Sequence, residues 1–374
     1  MRKLFYSAAC IVIAGLTFGG CSDSYKELTE ELSVNNSLSE LKILEGLDIN
    51  APEAVVDFTA TPVTNFTAKF SRKAKWVLTL NGGKGWQRVI RGESSSLNES
   101  TAQWNGSVDV IPMVKDGDLG TAVLQVEGLD EKIVGKAFLR KDFSIAKRGD
   151  VDLSNALLFG NFEPITKYPL RIRVTAKSPS GQLTYGFRSN TYTDGSGHEA
   201  AEGSFYWDMK GTPGGAGDDI YYIGTSNINA NIFRAPFKPH FDLSGANGDP
   251  TQLYFNIMVY SYGLHNTRIG ISFNEDDNND GVAVPDSEDV FRAILPFDNV
   301  DWTPGWKLIS VKYSETQHNE FATQGGTLGN NIKQIDRITD VNISLVPVTA
   351  GIANGEAHLS IDYPCFTWGA PLKP

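Results

Sequence analysis

Apolar and polar residues alternate with a period of two through most of this chain, and hardly any stretch carries the three-to-four spacing of an amphipathic helix. That alternation predicts strands with one buried face. Between about Val55 and Phe143 the runs are short and end in turn residues: Trp76-Val77-Leu78-Thr79-Leu80 before Asn81-Gly82-Gly83, then Ser107 to Ile111, then Ala122 to Val126. Trp76, Leu78 and Leu80 share a face that needs a second layer over it. The spacing of turn signals predicts an Ig-like sandwich over 51–148, without the cysteine pair of antibody domains.

From 149 to 374 the alternation continues in Leu170-Ile172-Val174, Phe205-Trp207-Met209, Leu253-Phe255-Ile257-Val259, Ile269-Ile271-Phe273, Ile309-Val311, Val341-Ile343-Leu345 and Leu359-Ile361-Tyr363. Each offers one apolar face, and no crossover helices separate the runs, so the prediction is a larger two-sheet jelly roll. The fold class expected is all-β throughout. One exception is Leu38, Leu41, Leu44 and Leu47, whose threefold spacing predicts a short amphipathic helix.

The beginning of the chain is different in kind. Arg2 and Lys3 precede an apolar run from Leu4 to Leu16 that ends in Phe18-Gly19-Gly20-Cys21. This reads as a signal peptide over 1–20, because so short a run cannot cross a bilayer that needs roughly 20 apolar residues. It resembles the lipobox of bacterial lipoproteins, which implies a diacylated Cys21 and attachment to the membrane through that lipid alone. Residues 21–50 then read as an acidic tether. With Cys10 in the leader and Cys21 lipidated, only Cys365 is left in the folded part, where a buried thiol is expected.

Charge narrows the partners. The chain carries 33 Lys plus Arg against 44 Asp plus Glu, a net −11, and Arg2 and Lys3 leave with the leader. No basic cluster offsets this, so nucleic acid is excluded as a main partner. Neutral ligands remain.

The strand Leu253 to Tyr262 carries the most informative chemistry. If Leu253, Phe255, Ile257 and Val259 face the core, Tyr254, Asn256, Met258, Tyr260 and Tyr262 face outward. Tyrosines and an amide on an outer face suit a sugar, whose C–H faces stack on rings while its hydroxyls need fixed donors and acceptors. Arg268, outward by the same parity on the next strand, would add donors. The expected glycan-binding residues are therefore Tyr254, Asn256, Tyr260, Tyr262 and Arg268, with Trp302 added from a motif given below. The competing reading is that a loop or the first domain covers these tyrosines.

Asp276-Asp277-Asn278-Asn279-Asp280-Gly281 fits D-x-N-x-D-G, in which Asp276, Asn278 and Asp280 would present hard oxygens to a structural Ca²⁺. The twelfth position is Ser287 rather than Glu, and a solvated acidic hairpin accounts for the same residues. No nucleophile elbow, phosphate loop or histidine cluster occurs, and His198-Glu199-Ala200-Ala201-Glu202 lacks the second histidine of a zinc protease motif. Paired carboxylates of a glycoside hydrolase are invisible to sequence alone.

Several stretches resemble the outer-membrane glycan-binding lipoproteins of Bacteroidetes-type polysaccharide-utilisation loci. They are Lys75 to Leu80 with Gly85-Trp86 and Trp104-Asn105-Gly106, the loop Glu275 to Gly281 with Glu288-Asp289-Val290-Phe291, Val300-Asp301-Trp302-Thr303-Pro304-Gly305-Trp306-Lys307, and Ile361-Asp362-Tyr363 to Leu372. The resemblance implies a non-catalytic protein, lipid-anchored at the outer membrane and exposed at the cell surface. It would capture a neutral polysaccharide or oligosaccharide for an outer-membrane importer complex. The alternatives are a structural or adhesive surface lipoprotein, and then a glycan-active enzyme.

Overall fold

The computed structural model describes residues 40–149, 153–158, 162–163, 172–177, 182–189, 197–212, 224–229, 239–264, 267–284, 287–295, 303–318, 329–347 and 356–374. Cys21 and Trp302 lie outside them.

The first seven strands are β1 (Ile43–Ile49), β2 (Val55–Asp57), β3 (Thr64–Gly82), β4 (Gln87–Leu97), β5 (Gln103–Trp104), β6 (Leu119–Val126) and β7 (Arg140–Lys147). They form one network in the order β1-β3-β6-β7-β2, with β4 and β5 also on β3. The 19 residues of β3 make this possible. Its first half pairs with β1 and its second with β6, and its register with β4 shifts between Lys69 and Ala74. One strand thus belongs to both walls around Phe66, Trp76, Leu78, Leu80, Trp86 and Trp104. The buried indoles keep their N–H groups bonded: Trp86 Nε1 donates to Asp118 Oδ2 at 2.9 Å and Trp104 Nε1 to the Ser107 carbonyl at 2.7 Å.

The helix expected from Leu38 to Leu47 is a strand instead where it is described. Leu47 is buried and Leu44 exposed in β1, whose edge bonds to β3 decide the outcome over the threefold spacing. Local periodicity over three residues is weaker than a ladder of backbone hydrogen bonds.

The remaining strands are β8 (Ala156–Leu158), β9 (Ile172–Lys177), β10 (Gln182–Ser189), β11 (Phe205–Thr212), β12 (Gly224–Asn229), β13 (Leu253–Ser261), β14 (Thr267–Glu275), β15 (Val290–Leu295), β16 (Gly305–Lys312), β17 (Gln317–His318), β18 (Ile338–Pro347) and β19 (Ala357–Trp368). They make two sheets. One runs β10-β11-β19-β13-β16 with β8 on β19, and the other β17-β15-β14-β18-β12-β9. Between them lies a core that includes Met209, Phe255, Ile257, Ile271, Phe273 and Ile343. The all-β jelly-roll expectation holds. β13 and β14 follow each other in sequence but stand in opposite sheets, and that crossing governs where the candidate side chains go.

Candidate functional site

The outward face of β13 exists as parity requires, but it is not an open platform. Register places Tyr260 between Trp306 of β16 and Ser360 of β19. Over this row passes the segment 197–204. His198 of that segment lies between Tyr206 and Tyr260, with ring centroids at 4.3 and 3.6 Å and planes 12° and 8° from parallel. Trp306 Nε1 donates to the Glu199 carbonyl at 2.7 Å.

The same segment meets the first sandwich. The Met113 amide donates to the Ala201 carbonyl at 2.8 Å, Lys115 Nζ to the Ala200 carbonyl at 2.8 Å, and Arg148 pairs with Glu202 at 3.2 Å. Ile111 and Met113 join Ala201, Met258, Trp306 and Cys365 in one apolar cluster. Much of the expected ligand face is therefore the seam between the two sandwiches.

Polar groups under the segment are closed on one another. Asp208 accepts from Ser360 Oγ at 2.7 Å and pairs with His358 Nε2 at 2.9 Å, while Tyr262 stacks on His358 with centroids 3.5 Å apart. His198 Nδ1 bonds the Glu199 carbonyl at 3.0 Å, so Nε2 is left to accept, and Tyr262 Oη at 3.1 Å is the donor because the Ser360 proton is on Asp208. Burial outweighs these contacts and pushes His198 down to about 4, keeping the imidazole neutral. Burial and the neighbouring Asp208 carboxylate raise the Tyr262 phenol.

The individual expectations separate accordingly. Asn256 is fully buried, and its amide donates to Thr367 Oγ1 at 3.0 Å and accepts from Ser310 Oγ at 2.7 Å and the Leu372 amide at 3.0 Å. Its second N–H points to the Tyr254 carbonyl at 3.4 Å, so it is a structural clamp with no donor left for a ligand. Tyr260 and Tyr262 belong to the seam, and half-buried Tyr254 stands at the far end near Lys312 Nζ, 6.0 Å from its ring centroid. Arg268 does not share their face. It sits on β14 opposite Val346 in the other sheet, and its buried Nε has no hydrogen-bond partner.

The outer face of that second sheet carries a polar row. In a row across the strands, Gln317 faces Arg292, Arg292 faces Ser272, and Ser272 faces Asn342. The register continues from Asn342 to Asn227 and on to Arg173. Arg292, Ser272 and Asn342 are half-buried. The next row pairs buried Asn274 with Asp340, joined at 2.7 Å. Sequence reading missed this row, although the pattern Arg268-Ile269-Gly270-Ile271-Ser272 shows an outer face of polar and small residues; only the register joins it to β15 and β18.

The acidic loop holds a different cluster from the one expected. The Asp280 amide donates to both Asp276 Oδ1 at 3.0 Å and Asn278 Oδ1 at 2.8 Å, so these two oxygens meet on the backbone of the turn. Asp276 accepts from the amides of Asp280 and Gly281 at 3.0 and 2.7 Å and pairs with His240 at 2.8 Å, while Asn278 and Asp280 are exposed. Burial would raise the Asp276 carboxyl, but His240 and the amides hold it low. The carboxylates that do meet are Glu275, Asp277 and Asp289, with a ligand atom of each within 4.8 Å of the others. Glu275 is 0% exposed, accepts from the Tyr313 hydroxyl, and keeps Oε2 without a partner. Burial pushes its carboxyl up to about 8. A Cβ on Gly329 would stand 2.1 Å from Asp277 Oδ2 and 2.4 Å from Asp289 Oδ1, so only glycine lets the backbone close over the acids. This triad could hold a metal ion.

No protein-family model and no curated protein matches the chain. Among solved structures it is similar to the family 11 carbohydrate-binding module of the cellulosomal cellulase Lic26A-Cel5E of Clostridium thermocellum, with 12% identity over 58% of this chain and 96% of that one and a TM-score of 0.36. The surface glycan-binding protein PbSGBP-B from Prevotella bryantii aligns at 11% identity over 89% of this chain and 77% of that one, TM-score 0.34. The tandem CBM22-1-CBM22-2 of Paenibacillus barcinonensis Xyn10C aligns at 7% identity over 88% and 93%, TM-score 0.29. The neighbours in structure thus include carbohydrate-binding modules and a surface glycan-binding protein, each a similarity that assigns no ligand here.

Proposed function

We propose that this is a non-catalytic glycan-binding lipoprotein, anchored in the outer membrane through Cys21 and exposed at the cell surface, that captures neutral polysaccharide for an importer complex. The observation that carries the glycan reading is the row Gln317, Arg292, Ser272 and Asn342 across the outer face of the second sheet. Half-buried guanidinium, hydroxyl and amide groups at fixed cross-strand spacing are the donors and acceptors that an uncharged, hydroxyl-rich chain needs. The acidic surface disfavours anionic ligands. The non-catalytic reading is supported by the carboxyls with strongly raised pKa, Glu275 and Asp362, lying sealed in the interior rather than at this row.

Affinity electrophoresis in gels containing mixed-linkage β-glucan, xylan, glucomannan or starch tests it. Wild type should be retarded by at least one, Arg292→Ala/Asn342→Ala should migrate freely, and no reducing ends should form. Unretarded wild type in every gel, or retardation untouched in the double variant, defeats the reading.

A structural Ca²⁺ at Glu275, Asp277 and Asp289 belongs to the same proposal. Its support is the orphaned, buried Glu275 Oε2 in an all-oxygen donor set, which suits a hard cation. The ion would neutralise three acids that otherwise repel one another, and so fix the loop against β15.

A further inference from the structure

Tyr185 and Phe187 are 48% and 49% exposed, side by side on one face of β10. Residues two apart on a strand stand about 6.7 Å from each other, so the two rings form a continuous apolar ledge. They are not loose. Phe187 meets Trp207 edge-on at 5.1 Å and Phe162 at 6.0 Å, and Tyr185 leans on Trp207 at 5.8 Å. Trp207 and Phe162 are buried beneath them. Rings anchored on one edge and bare on the other present a pre-ordered surface, which lowers the entropy cost of binding.

β10 is also the end strand of its sheet among the described residues, so one row of its backbone N–H and C=O groups pairs with no described strand. Apolar rings beside a line of backbone donors and acceptors match a glycan, whose sugar rings have C–H faces edged by hydroxyls. The strand reads Gln182-Leu183-Thr184-Tyr185-Gly186-Phe187-Arg188-Ser189, with a single charge, and Arg188 reaches toward Asp208 at 3.9 Å on the opposite face. An ionic partner has nothing to pair with on the ledge. Gly186, between the two rings, has a φ of 154° while the pairing with β11 runs unbroken from Gln182 to Ser189.

We propose that Tyr185 and Phe187 form a second contact for neutral polysaccharide, stacking sugar rings at the edge of the sandwich while the polar row holds the chain elsewhere. This rests on the glycan-binding reading above, and the test separates the two. Using the gel panel named there with the full chain, Tyr185→Ala/Phe187→Ala should weaken retardation about tenfold, since two stacking contacts are lost. Tyr185→Leu/Phe187→Leu keeps apolar packing on Trp207 but removes the flat faces, and should lose as much. Tyr185→Phe should change little.

Retarded wild type with both double variants unchanged overturns the ledge alone. Wild type retarded by nothing defeats the glycan reading and the ledge with it. Self-association in sedimentation velocity that disappears in the Leu variant, with glycan retardation intact, would assign the ledge to pairing between copies and overturn the proposal.

Discussion

His198 lies flat against Tyr260, ring centroids 3.6 Å apart and planes within 8° of parallel. An imidazole thus occupies the stacking face that a sugar ring would need, and it arrives on a segment bonded to the other sandwich.

The His198 imidazole is held near 4 in the folded protein against an ordinary value of 6.5. Below about pH 6.5 the unfolded chain takes up a proton that the native state refuses. Stability should therefore be lost progressively as pH falls from 6.5 to 4, by roughly 1–3 kcal/mol after allowance for partial exposure. Urea titrations across this window should show a smaller slope in His198→Phe, which keeps a flat ring but cannot titrate. An identical slope would mean that other groups carry the effect.

Glu275 behaves oppositely. Its carboxyl is pushed up to about 8, so without an ion the native state keeps a proton that the unfolded chain releases above about 4.5, and this contribution falls as pH rises toward 8. Calcium must displace that proton. The rise in Tm on adding Ca²⁺ to EDTA-treated protein should accordingly be larger at pH 8.5 than at pH 5.5, and absent in Glu275→Gln. Equal Tm with and without Ca²⁺ at both pH values would leave the triad as a protonated hydrogen-bonded cluster.

Asn256→Ala should cost about 2 kcal/mol, because the Leu372 amide and the Ser310 and Thr367 hydroxyls lose their partner in the interior. Glycan retardation per folded molecule should not change. Chemical denaturation beside the gel assay distinguishes this from a ligand contact, which would reverse the two results.

Met113→Asp should loosen the seam, since it places a carboxylate among Ala201, Trp306 and Cys365. The two sandwiches should then melt in separate transitions, and the radius of gyration from small-angle scattering should increase. One cooperative transition at unchanged radius would show that the remaining contacts suffice.

Much of the fold was legible because period-two alternation marks each buried face directly. Parity also identified the outward residues of β13 correctly. It could not tell what lies over them, since the cover comes from residues 197–204 and from Ile111 and Met113, far away in sequence. Arg268 is outward on its strand but lies apart from the tyrosines for a related reason: parity does not tell which sheet a strand joins, and β13 and β14 lie in opposite layers. In the acidic loop the spacing of Asp276, Asn278 and Asp280 suggested ligands, yet backbone amides of the turn consume Asp276. The acids that meet are Glu275 at the strand end, Asp277 in the loop and Asp289 beyond it, a set that the D-x-N-x-D-G spacing does not encode.

The position of β19 has a consequence for how the larger sandwich comes into being. Among the described residues β11 and β13 are joined only through it, so its sheet has no continuous middle until residues 357–368 are in place. Synthesis proceeds from the N-terminus, so β10–β11 and β13–β16 exist first as separate fragments with unpaired inner edges. Such long-range closure makes folding slow and leaves those edges open to wrong pairings in the interval. Proteolytic loss of β19 would split the sheet into two halves rather than trim its margin.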